Sequence, residues 1–151
     1  MSKSNQWESD LFKLYFQNVA AAGIGDAGGL PASVAAGSIF VALHTADPGE
    51  TGTQATSEAT YTGYARQAVV RSAAGWTVSG TAPTQAANAA AINYPACTAG
   101  TDALTYFSVG DAISGATIVR YKGLLTGGPV TVSTVNTPPS FAIGALVVTE
   151  D

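Results

Sequence analysis

The sequence predicts an all-β protein with one N-terminal α-helix, its body an antiparallel β-sandwich or barrel of seven to eight short strands. Short runs of β-branched and aromatic residues recur between separators bearing Gly and Pro. Charge is scarce, at 11% of 151 residues, while Ala, Thr, Ser and Val are abundant. Only the N-terminal segment places apolar residues at helical spacing.

In that segment Trp7, Leu11, Leu14, Tyr15 and Val19 recur at three- and four-residue steps and gather on one face. Phe12 and Phe16 flank the stripe, and Lys13 and Gln17 occupy the opposite side. Ser4 is placed to cap the helix, Glu8 and Asp10 lie near its start, and Gly23 is placed to stop it. Residues 1–24 therefore read as an amphipathic arm or plug and residues 38–151 as the β-sandwich, the whole forming a single domain. Between them the chain turns to Gly, Ala and Pro, and Asp26 with Gly28 and Gly29 is plain turn chemistry.

Ser38 to His44 reads as a central strand. Ile39, Val41 and Leu43 share one face, Phe40 and Ala42 the other, so both faces are apolar. Asp47-Pro48-Gly49 ends it, and Glu50 to Tyr61, with few large apolar residues, reads as a long exposed loop. Further strands are expected at Tyr64–Arg71, Trp76–Ser79, Ala89–Tyr94, Leu104–Val109, Ile118–Leu124, Val130–Thr134 and Phe141–Thr149. Nothing repeats at a fixed period, which argues against a solenoid or propeller.

The residues that could carry chemistry are few. His44 is the one imidazole, with Asp47 nearby and no third partner in the same stretch, and Cys97 is the one thiol. Neither a transition-metal cluster nor a disulfide framework follows, and Cys97 reads as a small hydrophobe. No Gly-x-Ser-x-Gly run marks a nucleophile elbow. Glu50, Glu58, Asp102 and Asp111 fall in separate expected loops. No catalytic residue, cofactor site or metal site is assigned, and no enzymatic activity is expected. A net charge of −4 without basic clusters argues against nucleic acid as a partner. No stretch is apolar enough for a membrane helix, and the N-terminus does not read as a secretory signal.

Arg66 and Arg71 stand at an odd spacing on one expected strand and so point to opposite faces, one to solvent or a neighbour and the other bracing a loop. Arg120 and Lys122 form a small basic strip on a second strand. With the aromatic helix they complete the expected partner interface: Trp7, Leu11, Phe12, Tyr15, Phe16, Arg66, Arg120 and Lys122.

Several strings, taken in order, resemble a family of small tailed-bacteriophage virion structural proteins, described as head-decoration or tail-fibre-like. They are Leu43-His44-Thr45-Ala46-Asp47-Pro48-Gly49, Ser57-Glu58-Ala59-Thr60-Tyr61-Thr62-Gly63-Tyr64-Ala65-Arg66, Ser72-Ala73-Ala74-Gly75-Trp76-Thr77-Val78-Ser79-Gly80, Thr105-Tyr106-Phe107-Ser108-Val109-Gly110 and Gly144-Ala145-Leu146-Val147-Val148-Thr149. Where family members often carry His-Phe-Gly, this chain has Tyr106-Phe107-Ser108. The resemblance implies a non-enzymatic virion component, made in the bacterial host cytoplasm. Its partners would be the major capsid protein or tail proteins of the same particle, with homo-oligomerisation expected and a trimer favoured. The leading expectation is a capsid decoration (cement) protein bridging capsid subunits. A fibre-attachment or baseplate accessory is the alternative. A carbohydrate-binding module would instead use Tyr61, Tyr64 and Trp76 as stacking platforms.

Overall fold

A computed structural model describes residues 3–24 and 29–150, so the Asp26–Gly28 turn lies outside the described residues. In chain order the elements are α1 (Asn5–Gln17), β1 (Ser38–His44), β2 (Gln67–Val70), β3 (Trp76–Ser79), β4 (Thr84–Asn88), β5 (Ile92–Asn93), β6 (Thr101–Leu104), β7 (Tyr106–Gly110), β8 (Val119–Leu124), β9 (Val130–Ser133), β10 (Ser140–Phe141) and β11 (Val147–Glu150). Among the described residues the protein is all-β with a single N-terminal helix, and its antiparallel sheets do not close into a barrel. The strands number eleven among the described residues, rather than seven or eight, because β4 is an added strand and the expected strands Leu104–Val109 and Phe141–Thr149 each divide in two. The chain divides into two compact units: residues 1–38, 69–91 and 142–151, and residues 39–68 and 92–141.

In the first unit α1 lies on the sheet ordered β11-β4-β3. Ser4 caps the helix through its hydroxyl, which accepts from the Trp7 amide at 3.3 Å. The helix ends earlier than expected, at Asn18 in the left-handed region (φ 56°) rather than at Gly23, and the Asn18 amide donates to the Lys13 carbonyl. The buried stripe is also displaced from the expected one. Glu8, Phe12 and Phe16, four residues apart, point inward, while Trp7, Leu11, Leu14 and Tyr15 are half-buried and Val19 is exposed. Phe16 sits 4.8 Å from Trp76 and 5.2 Å from Phe12, centroid to centroid, and all three rings are sealed from solvent. Gln17, expected on the outer side, donates to the Trp76 carbonyl at 2.8 Å. That side-chain bond, with the Phe16–Trp76 contact, ties the helix to β3.

Sequence periodicity missed β4. Its residues, Thr-Gln-Ala-Ala-Asn, carry no large apolar side chain, yet Thr84, Ala86 and Asn88 alternate inward. Small residues suffice there because the Phe16–Trp76 rings fill the space. Asn88 ties the unit's C-terminal segment down: its amide donates to the Ala90 and Ala142 carbonyls, and its Oδ1 accepts from the Leu146 amide.

In the second unit β1 pairs with β7 and β7 with β8, in a sheet whose order is β2-β1-β7-β8. β1 is central, as its two apolar faces require. Val41 and Leu43 stand opposite Val109 and Phe107 on one face; Phe40, Ala42 and His44 stand opposite Gly110, Ser108 and Tyr106 on the other. Gly123 faces Phe107 on β8, and a Cβ there would come within 2.7 Å of the Phe107 ring. Two further ribbons complete the unit, β6 with β9 and β5 with β10. The expected strand Leu104–Val109 is in fact two, because Thr105 breaks the run and pairs its amide and hydroxyl with the His44 and Thr45 carbonyls. Residues 50–61 form no strand, as expected, but the loop is not the exposed one expected: Gln54, Ala59 and Tyr61 are buried, because the loop packs on the second unit.

Replacing Phe16 with Ala should cost about 3–5 kcal/mol in urea unfolding, since the ring is wholly buried and its neighbours are rigid aromatics. Val19→Ala, at an exposed position beyond the helix, should stay within about 0.5 kcal/mol.

Candidate functional site

The second unit buries a set of polar side chains, Gln54, His44, Arg66 and Ser108. On the second face of the β1–β7 pair, Gly110 leaves a gap that Gln54 enters from the 50–61 loop; a Cβ on residue 110 would sit 2.3 Å from the Gln54 amide carbon. Gln54 is fully buried and donates to the Phe40 carbonyl at 3.0 Å and to Ser108 Oγ at 3.4 Å. His44, also fully buried, places Nε2 2.7 Å from Ser108 Oγ and Nδ1 2.9 Å from the Thr56 carbonyl. A carbonyl can only accept, so Nδ1 carries the hydrogen and Nε2 accepts from the serine.

Arg66 organises the rest. Its Nε and Nη2 bind Glu58 bidentately at 2.6 and 2.8 Å. Its Nη1 reaches the Ala112 carbonyl and Thr117 Oγ1, and Nη2 the Gly115 carbonyl at 2.7 Å. The Tyr64 hydroxyl donates to Glu58 and accepts from the Leu43 amide. Burial raises the Tyr64 and Tyr94 phenols above their ordinary range and pushes Tyr61 up to about 12, so all three stay neutral donors. Asp102 holds the end of the loop by accepting from the Thr60 and Tyr61 amides, and it lies on β6 rather than in the expected loop.

A Ser–His pair at 2.7 Å has the geometry of an activated nucleophile. Both residues are wholly enclosed, however, and the third position is a neutral carbonyl rather than a carboxylate. Sequence spacing could not reveal this pair, because Ser108 meets His44 only through the β1–β7 register. Among the described residues no three His, Cys, Asp or Glu side chains gather in one place. Cys97 is buried, its thiol directed at the Ala99 and Gly100 carbonyls.

The residues expected at a partner interface divide between the two units. Phe12 and Phe16 are buried inside the first unit, and Trp7, Leu11 and Tyr15 are half-buried there. Arg66 is buried in the second unit. Arg71, expected with Arg66 to split between solvent and brace, also braces: it donates to the Leu14 and Tyr15 carbonyls at the end of α1 and to Ala36. The Arg120–Lys122 strip is neutralised, Arg120 by Asp111 at 2.7 Å and Lys122 by Asp47 and Glu50. The Gly49 amide and then Lys122 hold the Asp47 carboxyl below its ordinary value. Tyr61 and Trp76 are core, and Tyr64 is half-buried between Tyr61 and Tyr94, so none of the three forms an open stacking platform.

Arg66→Met should destabilise the protein by about 3–5 kcal/mol in denaturant titration, because it leaves the Glu58 carboxylate without its cationic partner and removes a donor from the Ala112 and Gly115 carbonyls. Adding Glu58→Leu should recover part of that loss, giving a double mutant less destabilised than the sum of its singles.

No helix among the described residues is long and apolar enough to cross a membrane. No curated protein matches the sequence at a significant level. The family described as Podophage GP4 fiber I protein gp80 does match, over residues 2–149. With nearly its whole length matched, the chain belongs to this family of phage virion structural proteins and is a component of the virion.

Proposed function

We propose that this protein is a non-enzymatic fibre subunit of a tailed-phage particle, working by association with neighbouring structural proteins. The observation that carries the reading is the match, over nearly the whole chain, to a family described as a fibre protein. The structure is consistent with a building block. In the second unit Arg66, Arg120 and Lys122 are occupied with carboxylates and backbone carbonyls, and the Ser108–His44 pair is enclosed. Several large apolar residues of the second unit remain exposed, including Ile113, Ile118 and Leu124. Such residues suit burial between subunits, where a standard interface removes roughly 1,600 Å² from water. Association with other virion proteins follows from the family; fibre partners and a symmetric homo-oligomer follow from this reading.

Capsid decoration is the second reading, supported by the compact, unrepeated body. The two differ in copy number. A fibre subunit follows the cyclic symmetry of the tail and occurs in small multiples, whereas a decoration protein follows the icosahedral shell and reaches on the order of hundreds. Quantitative mass spectrometry of purified particles against the major capsid protein should return the small multiple. Particles lacking the protein should keep full, stable heads and lose adsorption. Copies in the hundreds, with heads that leak DNA on heating when the protein is absent, would replace the fibre reading with the decoration one.

The absence of catalysis has its own test. Ser108→Ala should leave particle assembly and adsorption unchanged. Normally assembled particles that have lost infectivity would restore a chemical role for Ser108 and His44.

A further inference from the structure

The His44 network has a fixed direction. Nδ1–H donates to Thr56, Ser108 donates to Nε2, and Gln54 spends its two amide hydrogens on Phe40 and Ser108. Gln54 Oε1 then accepts from Thr117 Oγ1 at 3.0 Å and from Arg66 Nη1 at 3.4 Å. A second proton on the imidazole would turn Nε2 into a donor facing a donor. The Ser108 hydroxyl would have to swing away, and its other partner, the Gln54 amide, already presents a hydrogen. For side chains as fully buried as His44, Ser108 and Gln54 such a mismatch is costly.

The bonds held in place by this network join separate segments. The Gln54 amide donates to the Thr117 carbonyl, the Ala59 amide to Leu43, and the Thr45 amide to Ser57. The geometry points to an acid-released latch: protonation of His44 detaches the 50–61 loop and the 111–117 turn from the β1–β7 pair, which itself stays formed.

The charges around the ring come from each element packed on it. Glu58 and Asp47 favour the protonated ring and Arg66 opposes it. β7 offers Ser108 and Tyr106 but no formal charge, Lys122 of β8 is held by Asp47 and Glu50, and Asp111 by Arg120. Burial outweighs the rest and holds the imidazole below its ordinary value of 6.5. The latched state therefore binds fewer protons than the open one. Latching is at full strength above 6.5, weakens as pH falls through it, and stops weakening once the latched ring itself titrates.

The chain has one histidine, so its imidazole resonances titrate without overlap. Amide hydrogen exchange, expressed as protection factors, should show Gln54, Ala59 and Thr45 losing protection by about tenfold per pH unit below 6.5. The Ala42 amide, which faces β7 opposite Ser108 within the β1–β7 pair, should not change. In His44→Asn, which keeps a donor toward Thr56 and cannot titrate, the pH dependence should vanish. A flat protection profile in the wild-type protein overturns the latch, whether or not the variant folds. So does an equal loss of protection in a folded His44→Asn protein, or an imidazole that titrates at or above 6.5.

Discussion

One guanidinium holds the second unit in its shape. Arg66 binds Glu58 through two parallel bonds and spends its remaining donors on the Ala112 and Gly115 carbonyls and on Thr117. The fork geometry of arginine meets a carboxylate and loop carbonyls at once, which lysine could not do. Its burial is tolerable because every donor has an acceptor and the ion pair is nearly neutral. Two stretches with few apolar residues of their own, the 50–61 loop and the 111–117 turn, thereby gain defined positions. Gln54, His44, Ser108 and Tyr64 then fit around that pair, each satisfied by the next.

The first unit solves the same problem with apolar surface. Phe12, Phe16 and Trp76 are its largest fully buried side chains, and β4 can be built of small residues because α1 and β3 supply that bulk beside it. Arg71 closes the end of α1 by donating to the exposed carbonyls of its last turn, where the helix dipole favours a cation. In both units, then, an arginine secures irregular backbone to regular structure.

This use of charge bears on function. In the second unit His44 and Arg66 are enclosed, Arg66 pairs with Glu58, and Asp47, Glu50, Asp111, Arg120 and Lys122 form ion pairs among themselves. What remains outward is a weakly charged surface with scattered apolar side chains, a composition suited to permanent contact between subunits and consistent with membership of a phage fibre family.

By itself the sequence determined the fold class, the place of the helix, its Ser4 cap, the central strand at Ser38–His44 and the irregular 50–61 loop. Each is written in local chemistry: alternation, capping residues, Pro and Gly. The ordered strings from Leu43 to Thr149 also carried the resemblance to virion proteins. Tertiary structure decided what depended on distant partners. The inward face of α1 is Phe12 and Phe16 rather than Trp7 and Leu11, because Trp76 on β3 sets which side is covered. β4 is a strand because its neighbours supply the volume its own residues lack. Arg66, Arg120 and Lys122, open to a partner when seen in the sequence, are engaged within the chain by carboxylates and carbonyls. The meeting of Ser108 with His44 follows from strand register. Hydrogen bonding and packing across long sequence separations leave no periodic trace, so only the folded chain displays them.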